Sequence, residues 1–531
     1  MVVALLATSL TAAPTDAQER LGTIDFPTSG DVEAQSHFIR GVLFMHSFEF
    51  GPAAQAFRDA QNIDNNFAMA YWGEAMTYNH PLWQQQDSEA AKQALARLAS
   101  TPEARAAFAP TEREKGYLAA VEALYGEGSK GRRDTLYSRA MARLVRQNPD
   151  DVEAQAFYAL SILGLTDGDR DFATYMKAAS VALPIFATRP DHPGAAHYII
   201  HSFDDPAHAP LGLPAARAYS TIAPDAPHAQ HMTSHIFVAL GMWDDVVGAN
   251  ETATVITSPS ARARWPGLTR IPCGHYAEWL LYGYLQQGRP GEAETLWKEC
   301  RAAALDESAA GAGARRSRRG SLARMRASYL VDAEDWQGDV ASDPFSTEGV
   351  EPYLHSKDDM ALGLAALHGG DRAVAERSLD AIQARLTEQT DYGSGMIEVL
   401  AGVLRTAILF EDGQIDEAIA TGRSTAELEE SLPFAYGPPM SGKPPRELIA
   451  EILAAAGRHA EAVTEFERAL DRTPNRSRSM LGLARAADAS GQTERAAEAY
   501  AILAELWRDA EPGLAGRDEV ERRVRETDTG G

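Results

Sequence analysis

The chain has 531 residues, 45% of them hydrophobic and 24% charged. That is ample for a large core but too long for one compact globule, which leaves separate domains or a repeat array that grows lengthwise. A formal net charge of −25 repels phosphate at long range and argues against nucleic acid or anionic lipid as a partner.

Val2 to Leu10 is a short apolar stretch, followed by small and polar residues that end in Thr15-Asp16-Ala17. It is too short to span a bilayer and has the form of the end of a secretory signal with a small-x-small cleavage site. A positive n-region is missing, which leaves the true start open. No other apolar run approaches membrane length. We therefore expect residues 1–17 to be the remnant of a signal peptide, and the protein to be periplasmic or secreted, with no membrane insertion.

Residues 18–304 read as a first helical array. Ala and Leu dominate the chain, which favours helix over strand. Phe38 to Asn62 and Ala68 to Ala75 carry apolar residues at i, i+3, i+4 and i+7. Fourteen histidines are spread over the chain, and seven fall between residues 192 and 235: His192, His197, His201, His208, His228, His231 and His235. His197/His201 and His231/His235 have helical spacing, which puts each pair on one face with Cβ atoms about 6 Å apart. Two imidazoles so placed can share a metal ion. Isolated histidines such as His46 and His208 read instead as structural residues making one hydrogen bond.

Gly274 to Ala302 reads as another hairpin, turning at Gly288-Arg289. The two cysteines, Cys273 and Cys300, stand at its two ends, which lie side by side in an antiparallel pair. They form either a disulfide in an oxidising compartment or two unpaired thiols. Residues 305–325 are Gly- and Arg-rich, with the run Arg315-Arg316-Ser317-Arg318-Arg319, and read as a solvated loop. A second array follows over 326–510, then a polar tail over 511–531.

The repeat is clearest near the C-terminal end. Gly457 and Gly491 break two helix pairs 34 residues apart, each followed five residues later by an alanine, Ala462 and Ala496, and Pro474 opens the next pair. That period and turn are the tetratricopeptide signature. The expected fold is all-α: a tetratricopeptide-type solenoid of about eight helix pairs. His197 to His231 and His201 to His235 are each 34 residues as well. Equivalent positions in adjacent repeats sit on neighbouring helices about 10 Å apart, so the spacing predicts that the four imidazoles converge. Neutral imidazoles suit copper or zinc better than magnesium or calcium. His192, His228 and His275 are further candidate ligands, enough for two ions, and His192 is also a candidate helix cap. Asp204, Asp205 and Glu251 are nearby carboxylates that can orient an imidazole or act as a base.

LFMHSFEFGPAAQAF (43–57), AMAYWGEAMTYNHPLW (68–83), HPGAAHYIIHSFDDP (192–206), HAQHMTSHIFVALGMWDD (228–245) and YGPPMSGKPPRELIAE (436–451) resemble a group of bacterial exported tetratricopeptide-repeat proteins along nearly the whole chain. The group's second histidine phrase usually reads HMPSHI; here Thr233 replaces the Pro. The resemblance implies a right-handed superhelix with His231 and His235 in its concave groove, and it implies no reaction. It also singles out His80, Trp83 and Tyr436 as candidate substrate contacts. The Gly437-Pro438-Pro439 loop is expected to reach over the groove as a lid.

Nucleophile elbows, P-loops and dinucleotide fingerprints are missing from the sequence. The preferred reading is a metal-binding protein with copper or zinc in the groove, favoured slightly as a metal-dependent enzyme, an oxidoreductase or hydrolase acting on a small molecule or an extended peptide. The alternatives are a non-catalytic peptide-binding scaffold and a metal carrier.

Overall fold

The computed structural model describes residues 19–166, 170–256, 259–306, 311–388 and 392–530. The leader-like residues 1–17 lie outside them. Val32–His46 pairs with Phe50–Ile63, Ala68–Met76 with Ser88–Leu98, Glu112–Leu124 with Lys130–Gln147, and Val152–Leu163 with Phe172–Thr188. Pro193–Ser202 then pairs with Ala209–Ile222, Pro227–Ala239 with Trp243–Thr254, and His275–Gln286 with Pro290–Leu305. Beyond the single long helix Ala312–Ala333, Pro352–His368 pairs with Arg372–Glu388 and Tyr392–Glu411 with Ile415–Ser431. The last two hairpins are Pro445–Ala455 with His459–Arg472 and Ser477–Ala489 with Thr493–Leu506. The fold is an all-α tetratricopeptide-type solenoid. The eleven hairpins among the described residues exceed the eight expected, because some, such as Glu112–Leu124 with Lys130–Gln147, lack the turn pattern on which that number rested.

The turns follow their sequence. Gly241, Gly457 and Gly491 all have positive φ, between 64° and 78°, a conformation that costs glycine nothing. Between the last two hairpins, a Cβ on Gly482 would lie 2.1 Å from the Phe466 ring, so glycine there permits the close approach of the Ser477–Ala489 and His459–Arg472 helices.

Three expectations need correction. Residues 305–325 are not a solvated loop: Ala312–Ala333 is one helix of 22 residues, packed on both Pro290–Leu305 and Pro352–His368. Arginine is a good helix former, and Arg318 is buried, its guanidinium 4.0 Å from the centre of the Trp265 ring and donating to the carbonyls of Ala303 and Arg264. The two arrays are therefore joined by a packed helix. Residues 511–531 are not simply a polar tail, since Arg517–Gly530 is a helix closing the solenoid, with Val520 buried and Glu519 held by Arg485 and Tyr500. Finally, Gly393–Glu411 is apolar over a length that would cross a bilayer. Ile397, Val399, Leu400, Val403 and Leu404 are buried against neighbouring hairpins, and this packing accounts for the apolar run.

The C-terminal hairpins fold back on the middle of the chain. Trp243 Nε1 donates to the Asn475 carbonyl (2.8 Å), Asn475 Nδ2 to the Gly241 carbonyl (3.3 Å), and Glu511 N to the Gly288 carbonyl (2.9 Å). Beneath these contacts Arg476 is wholly buried, with Glu447 at 2.8 Å, Asp332 at 2.7 Å and the Tyr282 hydroxyl at 3.0 Å. The closure lays residues 433–440 over the histidine-bearing helices. Cys273 and Cys300 are joined by a disulfide, Cα atoms 4.9 Å apart, which ties the segment entering the His275–Gln286 helix to the Pro290–Leu305 helix.

Candidate metal centre

Pro193 and Pro227 each open a helix at its first turn, where the missing N–H costs nothing. The two helices carry the two histidine pairs on facing sides. The four imidazoles do not meet at one point. They form two groups of three, each completed by a histidine from outside its own pair. His197 and His201 join His228, while His231 and His235 join His275, and within each group the ligand nitrogens lie within 4.8 Å of one another. His201 and His235, with ring centres 5.7 Å apart, form the seam between the groups.

Hydrogen bonds fix which nitrogens are free. His197 Nδ1 donates to the His46 carbonyl at 2.7 Å. His231 Nδ1 donates to Asn250 Oδ1 at 2.7 Å, an oxygen identified by the amide nitrogen's own bond to the Val246 carbonyl. His235 Nδ1 donates to Asp204 Oδ2 at 2.6 Å. In the neutral tautomer that these bonds select, Nε2 is the nitrogen of each ring that carries the lone pair. Among the described residues the buried Nε2 atoms of His197, His201 and His228 make no hydrogen bond, nor does Asp204 Oδ1. The Nε2 atoms of His231 and His235 stand 3.2 Å apart. With both rings protonated at Nδ1, two lone pairs face each other there. Buried unpaired acceptors are costly, and a cation between them removes the cost.

Burial pushes the imidazoles toward the neutral form that a metal requires: His197 down to about 3, and His201, His228 and His231 well below the usual histidine value, with neighbouring imidazoles adding to the effect. In the metal-free protein this makes acid destabilising. An unfolded chain binds a proton near pH 6.5 that folded His197 refuses. Its contribution to stability is thus complete above pH 6.5 and is lost as pH falls toward 3, by about 1.4 kcal/mol per pH unit. The urea midpoint of metal-free protein should accordingly drop between pH 7 and pH 5.

The two groups differ in access. Phe48, in the left-handed region at φ 55°, lays its ring against His197, His201 and His228 at 4.2, 5.9 and 5.6 Å, and Tyr219 stacks on His197. This group is walled in. The other is flanked by Tyr276, Trp279 and Tyr436, and His275 opens onto a cavity of about 470 Å³. Trp83 and Tyr436 line that cavity. His80 does not: its ring stacks on Phe50 at 4.1 Å. The expected lid lies over the site, with the Tyr436 ring 4.9 Å from His235. Gly437, at φ +93°, approaches Trp279 so closely that a Cβ would stand 2.3 Å from its ring.

His192 serves elsewhere. Its Nδ1 accepts from the Ala195 N–H, capping the Pro193–Ser202 helix, and its Nε2 meets Glu153 at 3.1 Å. His46 bonds the other Glu153 oxygen at 2.7 Å and the Tyr198 hydroxyl at 2.8 Å. Burial alone would raise the Glu153 carboxyl, but His192 and His46 outweigh it and hold it down to about 2. Every ring nitrogen of this group is already engaged, so it is a polar core. Asp205 pairs with Arg170 and His208, and Glu251 accepts from Tyr284, leaving Asp204 as the carboxylate that orients a candidate ligand. The spacing could not reveal Phe48, in the turn between Val32–His46 and Phe50–Ile63, or Asn250, on the Trp243–Thr254 helix.

A tetratricopeptide-repeat family profile matches residues 453–511. No curated protein sequence matches the chain. Among solved structures, the human IFIT1 dimer with m7Gppp-AAAA is similar at 13% identity and a TM-score of 0.36, covering 90% of this chain and 91% of that one. Yeast Tom70 is similar at 12% identity and a TM-score of 0.29, covering 94% and 96%.

Proposed function

We propose that this tetratricopeptide-repeat protein is an exported metalloprotein holding two copper or zinc ions, one in each three-histidine group, and that the cavity-side ion serves a metal-dependent enzyme. The carrying observation is the set of buried Nε2 atoms: those of His197, His201 and His228 make no hydrogen bond, and those of His231 and His235 stand 3.2 Å apart. Six imidazoles suit copper or zinc. The walled group matches an ion held for structure or electronic coupling. The other, reached by the cavity at His275, leaves room for a small molecule beside an ion able to act as Lewis acid or redox centre. Residues 433–440 cover the face that an extended peptide would need, which favours a small substrate. The disulfide suits an oxidising compartment and supports the periplasmic or secreted reading.

The test is metal analysis of the untagged protein by mass spectrometry. About two ions of copper or zinc per chain are expected, either as purified or after loading. Protein that carries no metal and takes none up would make the cluster a polar core and sink the proposal.

A further inference from the structure

The cavity beside His275 carries its own recognition chemistry. Lys357 lies on Pro352–His368, 98% of it hidden from solvent (2% exposed), and its Nζ lines the cavity wall, donating to the Pro439 carbonyl at 3.1 Å. Among the described residues no carboxylate lies within ion-pair distance of it. The other two cations on the wall are balanced: Arg324 pairs with Glu278, and Arg170 with Asp205. Among the described residues Lys357 is therefore the cation of this wall that has no ion-pair partner, with two N–H donors of its ammonium form to spare. The remaining wall includes the aromatic rings of Trp83, Trp279, Tyr436 and Phe434.

We infer that the cavity binds a small aromatic carboxylate, its carboxylate on Lys357 and its ring between the aromatic walls, beside the cavity-side histidine group. The inference deepens the metal-enzyme reading by naming the ligand class of the same site, and it stands on the wall residues whether or not an ion is bound. A buried ammonium without a counter-ion is costly: burial, with Arg324 and Arg476 nearby, outweighs the more distant Glu278 and Asp332 and lowers Lys357 to about 7; an incoming carboxylate supplies the missing partner. Aromatic faces add stacking at ring-centre distances of about 4.5–7 Å. A volume of about 470 Å³ holds one ring with a short side chain and excludes a folded partner.

The experiment is isothermal titration calorimetry of the full chain, metal-free and zinc-loaded in parallel, with 3-phenylpropionate, its neutral amide and hexanoate. The acid should bind saturably, with the amide and the aliphatic acid at least about tenfold weaker, a difference of about 1.4 kcal/mol. Lys357→Met should weaken the acid by a similar factor and leave metal content unchanged. Equal binding of acid and amide, no binding of the acid, or an unaffected Lys357→Met variant would each overturn the inference. Because the amide comparison uses wild-type protein, a misfolded variant cannot obscure the result. Metal content is measured separately, so the loss of one reading is not mistaken for the loss of the other.

Discussion

Replacing His231 and His235 together by alanine should remove one ion per chain and leave the other. Metal content should fall from about two to about one, because His197, His201 and His228 remain a complete three-histidine set. The reciprocal variant, His197→Ala/His201→Ala, should retain the cavity-side ion. A graded version comes from Asp204, which holds His235 in the tautomer that exposes Nε2. Asp204→Asn should weaken the cavity-side ion by about 10–100-fold while leaving every ligand in place. Thermal melts provide a second readout, since an ion at a thousand times its dissociation constant stabilises by about 4 kcal/mol. If both double variants lose all metal together, the two groups act as one inseparable centre. If neither loses any, the ions sit elsewhere.

Arg476→Met should be the most damaging substitution away from the histidines. The guanidinium is fully buried between Glu447 and Asp332, with the Tyr282 hydroxyl as a further partner. Truncation leaves two buried carboxylates without their cation, a loss of about 3–5 kcal/mol. Arg476→Lys should recover only part of it, since an ammonium cannot reproduce the planar fork that reaches both acids. Urea unfolding followed by far-ultraviolet circular dichroism measures both. A loss under about 1 kcal/mol for the methionine variant would show that Glu447 finds its charge balance in Lys443, 2.9 Å away, with no need of Arg476.

The pairing of the two histidine helices was legible because a 34-residue repeat places equivalent positions next to each other, and the hydrophobic period gave the helices. The third ligand of each group was not legible in the same way. His228 stands three residues before His231, so helix geometry turns it partly away from its own pair and toward His197 and His201. His275 stands 40 residues after His235, off the 34-residue period. The basic run 315–319 looked like a solvated loop since charge and glycine dominate it, yet Arg318 is sheltered by Trp265, a residue 53 positions earlier. The fold-back through Trp243 and Asn475 joins residues 232 apart, and no local pattern encodes a contact of that span.

The cover over the cavity-side histidines belongs to the last quarter of the chain, while the histidines themselves belong to its middle. Tyr436 and Gly437 keep their place only as long as the hairpins behind them stay docked on Gly241, Trp243 and Gly288. The shape of the cavity wall on that side is thereby coupled to partial unfolding of a remote segment. A substitution at Asn475, far from any imidazole in sequence, would loosen Tyr436 and Gly437 without touching the histidines.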